Sequence, residues 1–297
     1  MSKTSTKIFK GAATAIITPF SSGEIDFDSF GKMMERQIKC GISAIVVCGT
    51  TGEASTLTVD EHLRCIEFAV SRAGKRIPII AGSGSNCSKK SLYLSTKACE
   101  LGADALLVVT PYYNKANADG LIKYFSDIAD ASTKPIILYN VPSRTGVNIP
   151  LSVYNKLSKH ENIVGVKEAS GNISSIALMA ANLPEDFAIY SGNDDQILPI
   201  LSLGGSGVIS VVSNVFPKEV QRLCSSYFLR DTDTARRLQL ELMDITNALF
   251  SDVNPIPVKY ALHAMGLCSG ELRPPLTEAD GAIQVRIDSI LKRQGMI

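Results

Sequence analysis

Eight short apolar runs, separated by stretches of helical periodicity, constrain this chain more than any other feature. They occupy residues 11–18, 44–48, 77–81, 105–109, 135–139, 163–167, 187–190 and 207–212. Each is almost continuously apolar, the pattern of a strand buried on both faces rather than one. Between most of them lie helical patterns, at 28–39, 58–72, 89–100, 120–131 and 151–159. In the first of these, Phe30, Met33, Met34, Gln37 and Ile38 are spaced for one helix face. Thr58 and Glu61 stand three apart at the start of the second, as a capping box requires. Strands alternating with helices argue for parallel βα units, and about eight such units argue for a closed (β/α)8 barrel, the TIM-barrel form of the α/β class. The alternative is an open, doubly wound sheet. It favours a glycine-rich turn after the first strand, and Thr18-Pro19-Phe20 is not one.

The pattern changes after Pro217. Helices are expected at 220–229, 233–251, 257–265 and 278–292, and no further strand is needed. The expected division is therefore a barrel over 1–225 that carries the site, followed by a C-terminal helical extension over 226–297. With 297 residues, 45% of them hydrophobic, the chain can bury a core of that size. The net charge is +1 with acids and bases interspersed, which excludes a nucleic-acid or anionic-membrane surface. No apolar run reaches membrane-spanning length, and the polar start, Met1 to Lys10, lacks the apolar centre of a signal peptide. A cytoplasmic protein is the expectation. The seven cysteines are odd in number and form no Cys-x-x-Cys pair, so they read as buried, reduced thiols. His62, His160 and His263 have no ligand spacing, and no metal site is expected.

In a barrel of this type chemistry sits at the C-terminal ends of the strands. The run at 163–167 ends in its only cation, Lys167. An unpaired ammonium there is costly, and losing the proton is the cheap escape; a neutral lysine amine is a nucleophile towards carbonyl carbon. The plainer reading is a lysine that reaches solvent or a carboxylate. Other strand ends add Gly49-Thr50-Thr51-Gly52-Glu53, whose hydroxyls and amides suit a small carboxylate, and Tyr112 and Tyr113, equally readable as packing or interface. Tyr139 shares parity with Ile137, which sets its phenol on one face near the rim. Arg144 follows in a Pro/Gly turn, where a guanidinium can clamp a carboxylate or pin the loop. Ser191-Gly192-Asn193-Asp194 and Gly205-Ser206-Gly207-Val208-Ile209-Ser210 close the set.

These motifs together resemble the dihydrodipicolinate synthase family, within the pyruvate-dependent class I aldolases that include N-acetylneuraminate lyase. The resemblance runs from Gly11 into the C-terminal helices and is carried by the runs that begin at Gly49, Thr110, Tyr139, Gly165 and Ser191. It implies a lyase in which Lys167 forms a Schiff base with pyruvate, with no other cofactor. Thr50 and Thr51 would hold the pyruvate carboxylate, Gly192 and Ile209 would line the same pocket, and Tyr139, Thr50 and Tyr113 would relay protons. The resemblance further implies that Tyr113 comes from a neighbouring subunit, that the assembly is a homotetramer of two tight dimers, and that Arg144 receives L-aspartate 4-semialdehyde. The expected reaction is the condensation that opens the diaminopimelate route to lysine. The alternative is a 2-keto-acid aldolase of the N-acetylneuraminate or keto-deoxy-sugar type, whose members typically lack this arginine. A catalytically silent barrel would be expected to lose Lys167, Tyr139 or Thr50, and all three are present. Lysine-inhibited members bind the end product at positions that here are Ala54, Ser55, Val59, His62, Asn86, Lys90 and Tyr112. They typically carry an acid where Lys90 stands and a histidine where Val59 stands, so weak or absent feedback inhibition is expected here.

Overall fold

The computed structural model describes residues 7–297; the first six residues of the polar start lie outside it. Eight parallel strands close into one barrel. In chain order they are β1 Gly11–Ala15, β2 Ala44–Val47, β3 Ile79–Gly82, β4 Ala105–Val109, β5 Ile136–Asn140, β6 Ile163–Glu168, β7 Ala188–Ser191 and β8 Gly207–Ser210. Closure comes where β1 meets β8, with Gly11 opposite Gly207. The strands approach closely there: a Cβ on Gly207 would lie 1.8 Å from the Gly11 carbonyl oxygen, so only glycine fits.

Each strand is buried on both faces, as the apolar runs predict. One face contributes to a slim interior core containing Ala13, Val46, Ile80, Leu107, Ile137 and Tyr139, and the other packs on the helices. At the N-terminal end of the barrel Phe9 stacks on Tyr190, ring centroids 4.2 Å apart, and the Tyr190 hydroxyl donates to the Phe9 carbonyl at 2.9 Å. This pair forms a floor to the interior.

The surrounding helices are α1 Phe27–Lys39, α2 Val59–Ala73, α3 Ser88–Glu100, α4 Ala118–Ala131, α5 Leu151–Leu157, α6 Ile173–Asn182, α7 Ile197–Ser202 and α8 Pro217–Phe228. The capping box at the start of α2 is formed: Thr58 Oγ1 accepts from Glu61 N and Glu61 Oε2 accepts from Thr58 N. Helix α8 packs on β1 and spans the division expected between residues 225 and 226, so the extension continues directly from the barrel wall. It consists of α9 Thr232–Glu241, α10 Met243–Leu249, α11 Ile256–Ala264 and α12 Gly281–Arg293.

Two local expectations are corrected, and one element was not anticipated. The helix expected over 233–251 is two helices, broken at Leu242, with Leu238 and Ile245 both buried on either side of the break. A small hairpin pairs Phe20–Ser21 with Glu24–Ile25, made by the left-handed residues Ser22 and Gly23. The cysteines are all free, but not all buried: Cys87 is exposed at the N-cap of α3 and Cys40, Cys99 and Cys268 are half-buried. Among the described residues no helix is long and apolar enough to cross a membrane.

Candidate active site

Lys167 stands in register with Tyr139 on β5 and Tyr190 on β7. Both tyrosines belong to the interior core, so the row faces into the barrel. Lys167 is 6% exposed, and its Nζ lies 4.3 Å from the centroid of the Tyr139 ring. Among the described residues no carboxylate forms an ion pair with it. The plainer reading, a strand-end lysine reaching solvent or a carboxylate, does not describe it.

The two acids nearest in sequence to this row are engaged elsewhere. Glu168 accepts from Asn140 Nδ2 at 3.0 Å, from the Tyr154 hydroxyl at 3.1 Å and from Ser170 N at 2.8 Å. Burial, reinforced by this carboxylate, holds the Tyr154 phenol well above its ordinary pKa. Asp194 accepts from Ser210 Oγ, Val211 N and Val212 N, tying the end of β7 to the end of β8. Burial pushes its carboxyl pKa up, while these donors and the nearby Lys167 act the other way.

A cavity of about 350 Å³ opens beside the row and is lined by Thr50, Val109, Tyr112, Tyr139, Arg144 and Thr145. Arg144 belongs to a single helical turn, Pro142–Thr145, ended by Gly146 at φ +67°. Its Nη2 donates to the Asn254 carbonyl at 3.2 Å, a single contact that leaves guanidinium donors for a ligand. The same cavity reaches Ala54, Ser55, His62 and Lys90. His62 Nε2–H donates to Gly82 O at 2.7 Å, and burial, with Lys90 adding to it, lowers the imidazole pKa.

Not every expected residue lines this space. Lys167, Thr51, Gly192 and Ile209 lie outside its walls, as do Val59 and Asn86. Thr51 is buried and accepts a hydrogen bond from Asn254 Nδ2 at 2.9 Å. Gly192 packs so tightly that a Cβ would lie 2.6 Å from the Ala169 methyl, and Ile209 is a fully buried interior residue. Tyr113 is the clearest outlier. It is 92% exposed, in a left-handed conformation at φ +68°, and outside the walls of its own chain's cavity. Among the described residues no group of three or more His, Cys, Asp and Glu side chains is placed to hold a metal ion.

Two residues at the site were not anticipated, Asn254 and Lys259. Asn254 touches both Thr51 and Arg144, and Lys259 forms a fully buried ion pair with Glu53. A signal was available for the lysine. In Asn254-Pro255-Ile256-Pro257-Val258-Lys259 it is the lone cation of an apolar stretch, the same feature that marks Lys167.

The closed barrel and the inward lysine put the chain among (β/α)8 proteins with a lysine-centred pocket at the strand ends. Residues 8–294 match the Dihydrodipicolinate synthetase family, and the chain belongs to it. A curated relative from Alkaliphilus oremlandii, named 4-hydroxy-tetrahydrodipicolinate synthase, is 48% identical over 98% of this chain and all of its own length. Among solved structures, dihydrodipicolinate synthase from Aquifex aeolicus superposes with a TM-score of 0.95 at 44% identity, covering 97% of this chain and 99% of that one. The enzyme from Cyanidioschyzon merolae, solved with lysine bound, gives 0.94 at 38% identity, covering 98% and 99%.

Proposed function

We propose that this protein is a 4-hydroxy-tetrahydrodipicolinate synthase, condensing pyruvate with L-aspartate 4-semialdehyde through a Schiff base on Lys167. The observation that carries this reading is the buried Lys167, without a carboxylate partner among the described residues, against the Tyr139 ring beside a cavity that Thr50 and Arg144 share. Family membership and the synthase name of close relatives favour it over a 2-keto-acid aldolase of the sialic-acid type.

The steps follow from the residues. The Lys167 amine adds to the keto carbon of pyruvate and water leaves, giving an imine. The imine is an electron sink, so a methyl proton can leave through the relay of Tyr139, Thr50 and a partner subunit's tyrosine at position 113. The resulting enamine carbon attacks the aldehyde of the second substrate, whose carboxylate Arg144 clamps. The amine of that substrate then attacks the imine carbon and displaces Lys167, closing the ring. Thr50 and Thr51 hold the pyruvate carboxylate, and Gly192 and Ile209 line the same pocket. Substrates and residues supply every proton and electron in this sequence, so it needs no metal or dissociable cofactor.

The exposure of Tyr113 supports an active assembly of at least two chains, a homotetramer of paired dimers in this reading. The same reading assigns the protein to the cytoplasm. Borohydride added with pyruvate will leave a covalent adduct located by mass on Lys167, and Lys167→Ala will abolish it. Coupling to the downstream reductase, read as NADPH loss, will show turnover with L-aspartate 4-semialdehyde. A trapped adduct without turnover would move the assignment to the keto-acid aldolases.

The part of the cavity lined by Ala54, Ser55, His62, Lys90 and Tyr112 is the regulatory position in this reading, to which Val59 and Asn86 also belong. Lys90 opposes the ammonium of an incoming lysine. L-lysine will inhibit this protein weakly or not at all, and Lys90→Glu will introduce inhibition. Strong inhibition of the unaltered enzyme in an initial-rate titration is the result that would refute this.

A further inference from the structure

The turn at residues 49–53 is held from outside the barrel. Both residues that bracket its glycines and threonines, Cys48 at φ +54° and Glu53 at φ +52°, are in the left-handed region that non-glycine residues seldom adopt. Such a conformation persists only where the surroundings over-determine it. Here they do, from one side. The Lys259 ammonium, on α11, pairs with Glu53 Oε1; the side chains are 0% and 1% exposed. Arg273 N donates to Glu53 Oε2 at 3.1 Å, and the Arg273 guanidinium grips Glu61 and the Thr56 carbonyl beyond the turn. Lys259 and Arg273 both lie over the Phe20 ring, at 4.1 and 4.4 Å from its centroid. Thr51, inside the turn, is hydrogen-bonded to Asn254, five residues before Lys259.

We propose that Lys259 is a positioning residue, which through Glu53 keeps the turn in the shape that presents Thr50 and Thr51 to the carboxylate of pyruvate. This rests on the synthase reading above. Without the ammonium, Glu53 keeps a buried carboxylate with one backbone donor, and the inexpensive response is to swing out and let the residue relax from its left-handed conformation. The turn would move with it. The aldehyde clamp at Arg144 rests on the Asn254 carbonyl rather than on Glu53, so binding of the second substrate is spared.

The test separates positioning from simple stabilisation. Lys259→Met should raise KM for pyruvate about tenfold and lower kcat as Thr50 leaves the proton relay, with the aldehyde KM within about threefold of the unaltered enzyme. The pyruvate concentration that half-saturates borohydride trapping on Lys167 should shift by the same factor. In the double variant Glu53→Gln/Lys259→Met no buried charge is left unpaired, so the melting temperature should recover while the pyruvate KM stays raised. Recovery of both together, or a pyruvate KM within about twofold of normal in folded Lys259→Met, overturns the proposal. If Lys259→Met does not fold, Glu53→Gln, close in shape, is read against the same two constants and decides alone. Absence of a Lys167 adduct in the unaltered protein overturns the synthase reading and this proposal with it. An adduct there with unaltered constants in the variants overturns only the positioning role.

Discussion

At the scale of single residues, what distinguishes the site is which charges are paired and which are not. Among the described residues two lysines are buried: Lys259 meets a carboxylate at once, whereas Lys167 has an aromatic face and no acid within ion-pair distance. A buried pair is retained as an ion pair, while an unpaired amine is available for covalent chemistry. Arg144 lies between these extremes, held by a single carbonyl contact. Charged hydrogen bonds contribute about 1.5–3 kcal/mol, so Arg144→Ala should raise the KM for the semialdehyde about 10- to 100-fold. Borohydride trapping of pyruvate by that variant should be undiminished, because the proposed hold on the first substrate is Thr50 and Thr51 rather than Arg144. Steady-state constants for both substrates, measured beside the trapping yield, check the split.

Elements transmit these placements. Helix α2 starts at the Thr58 capping box, is tied to Arg273 through Glu61, and touches the end of β3 where His62 meets Gly82. Because burial depresses the His62 pKa below its ordinary value of 6.5, the unfolded chain binds a proton that the folded chain resists. This contribution to stability is complete above pH 6.5 and is lost as the pH falls below it, by up to about 1.4 kcal/mol per unit. Glu35 and Glu61 behave oppositely in origin: arginine partners lower their pKa from 4.5 to about 2, so their contributions are lost only below pH 4.5. Urea midpoints between pH 8 and pH 5 should therefore fall in the unaltered protein and fall less in His62→Asn. The elements were well marked in the sequence wherever burial was continuous. All eight strands lie within or next to their apolar runs, because a strand covered on both faces has no polar positions to disguise it. The hairpin at Phe20 was not legible, since two-residue strands have no periodicity and their turn rests on a left-handed serine. Nor was the grip of α11 on the 49–53 turn. Lys259 and Glu53 are 206 residues apart, and a contact at that separation leaves only the trace of a lone cation in an apolar stretch.

The whole molecule raises the question of what one chain lacks. Tyr113 is a large aromatic residue at 92% exposure, and it does not line the cavity of its own chain. If each site borrows this phenol from a neighbour, two defective proteins can repair each other. Lys167→Ala and Tyr113→Phe should each be impaired alone, and activity should reappear when they are dissociated, mixed and reassembled. A coupled assay on the mixture reads this directly, and a rate equal to the sum of the separate proteins would count against the shared site. The stack of Phe9 on Tyr190 has a different consequence. A vessel stoppered at the bottom is filled and emptied through its neck. Pyruvate, water and product must pass one another in the same corridor, so traffic has to be consecutive. A pyruvate analogue with a long tail, anchored at the lysine, would leave its tail in the doorway and shut out the second guest without touching that guest's own seat.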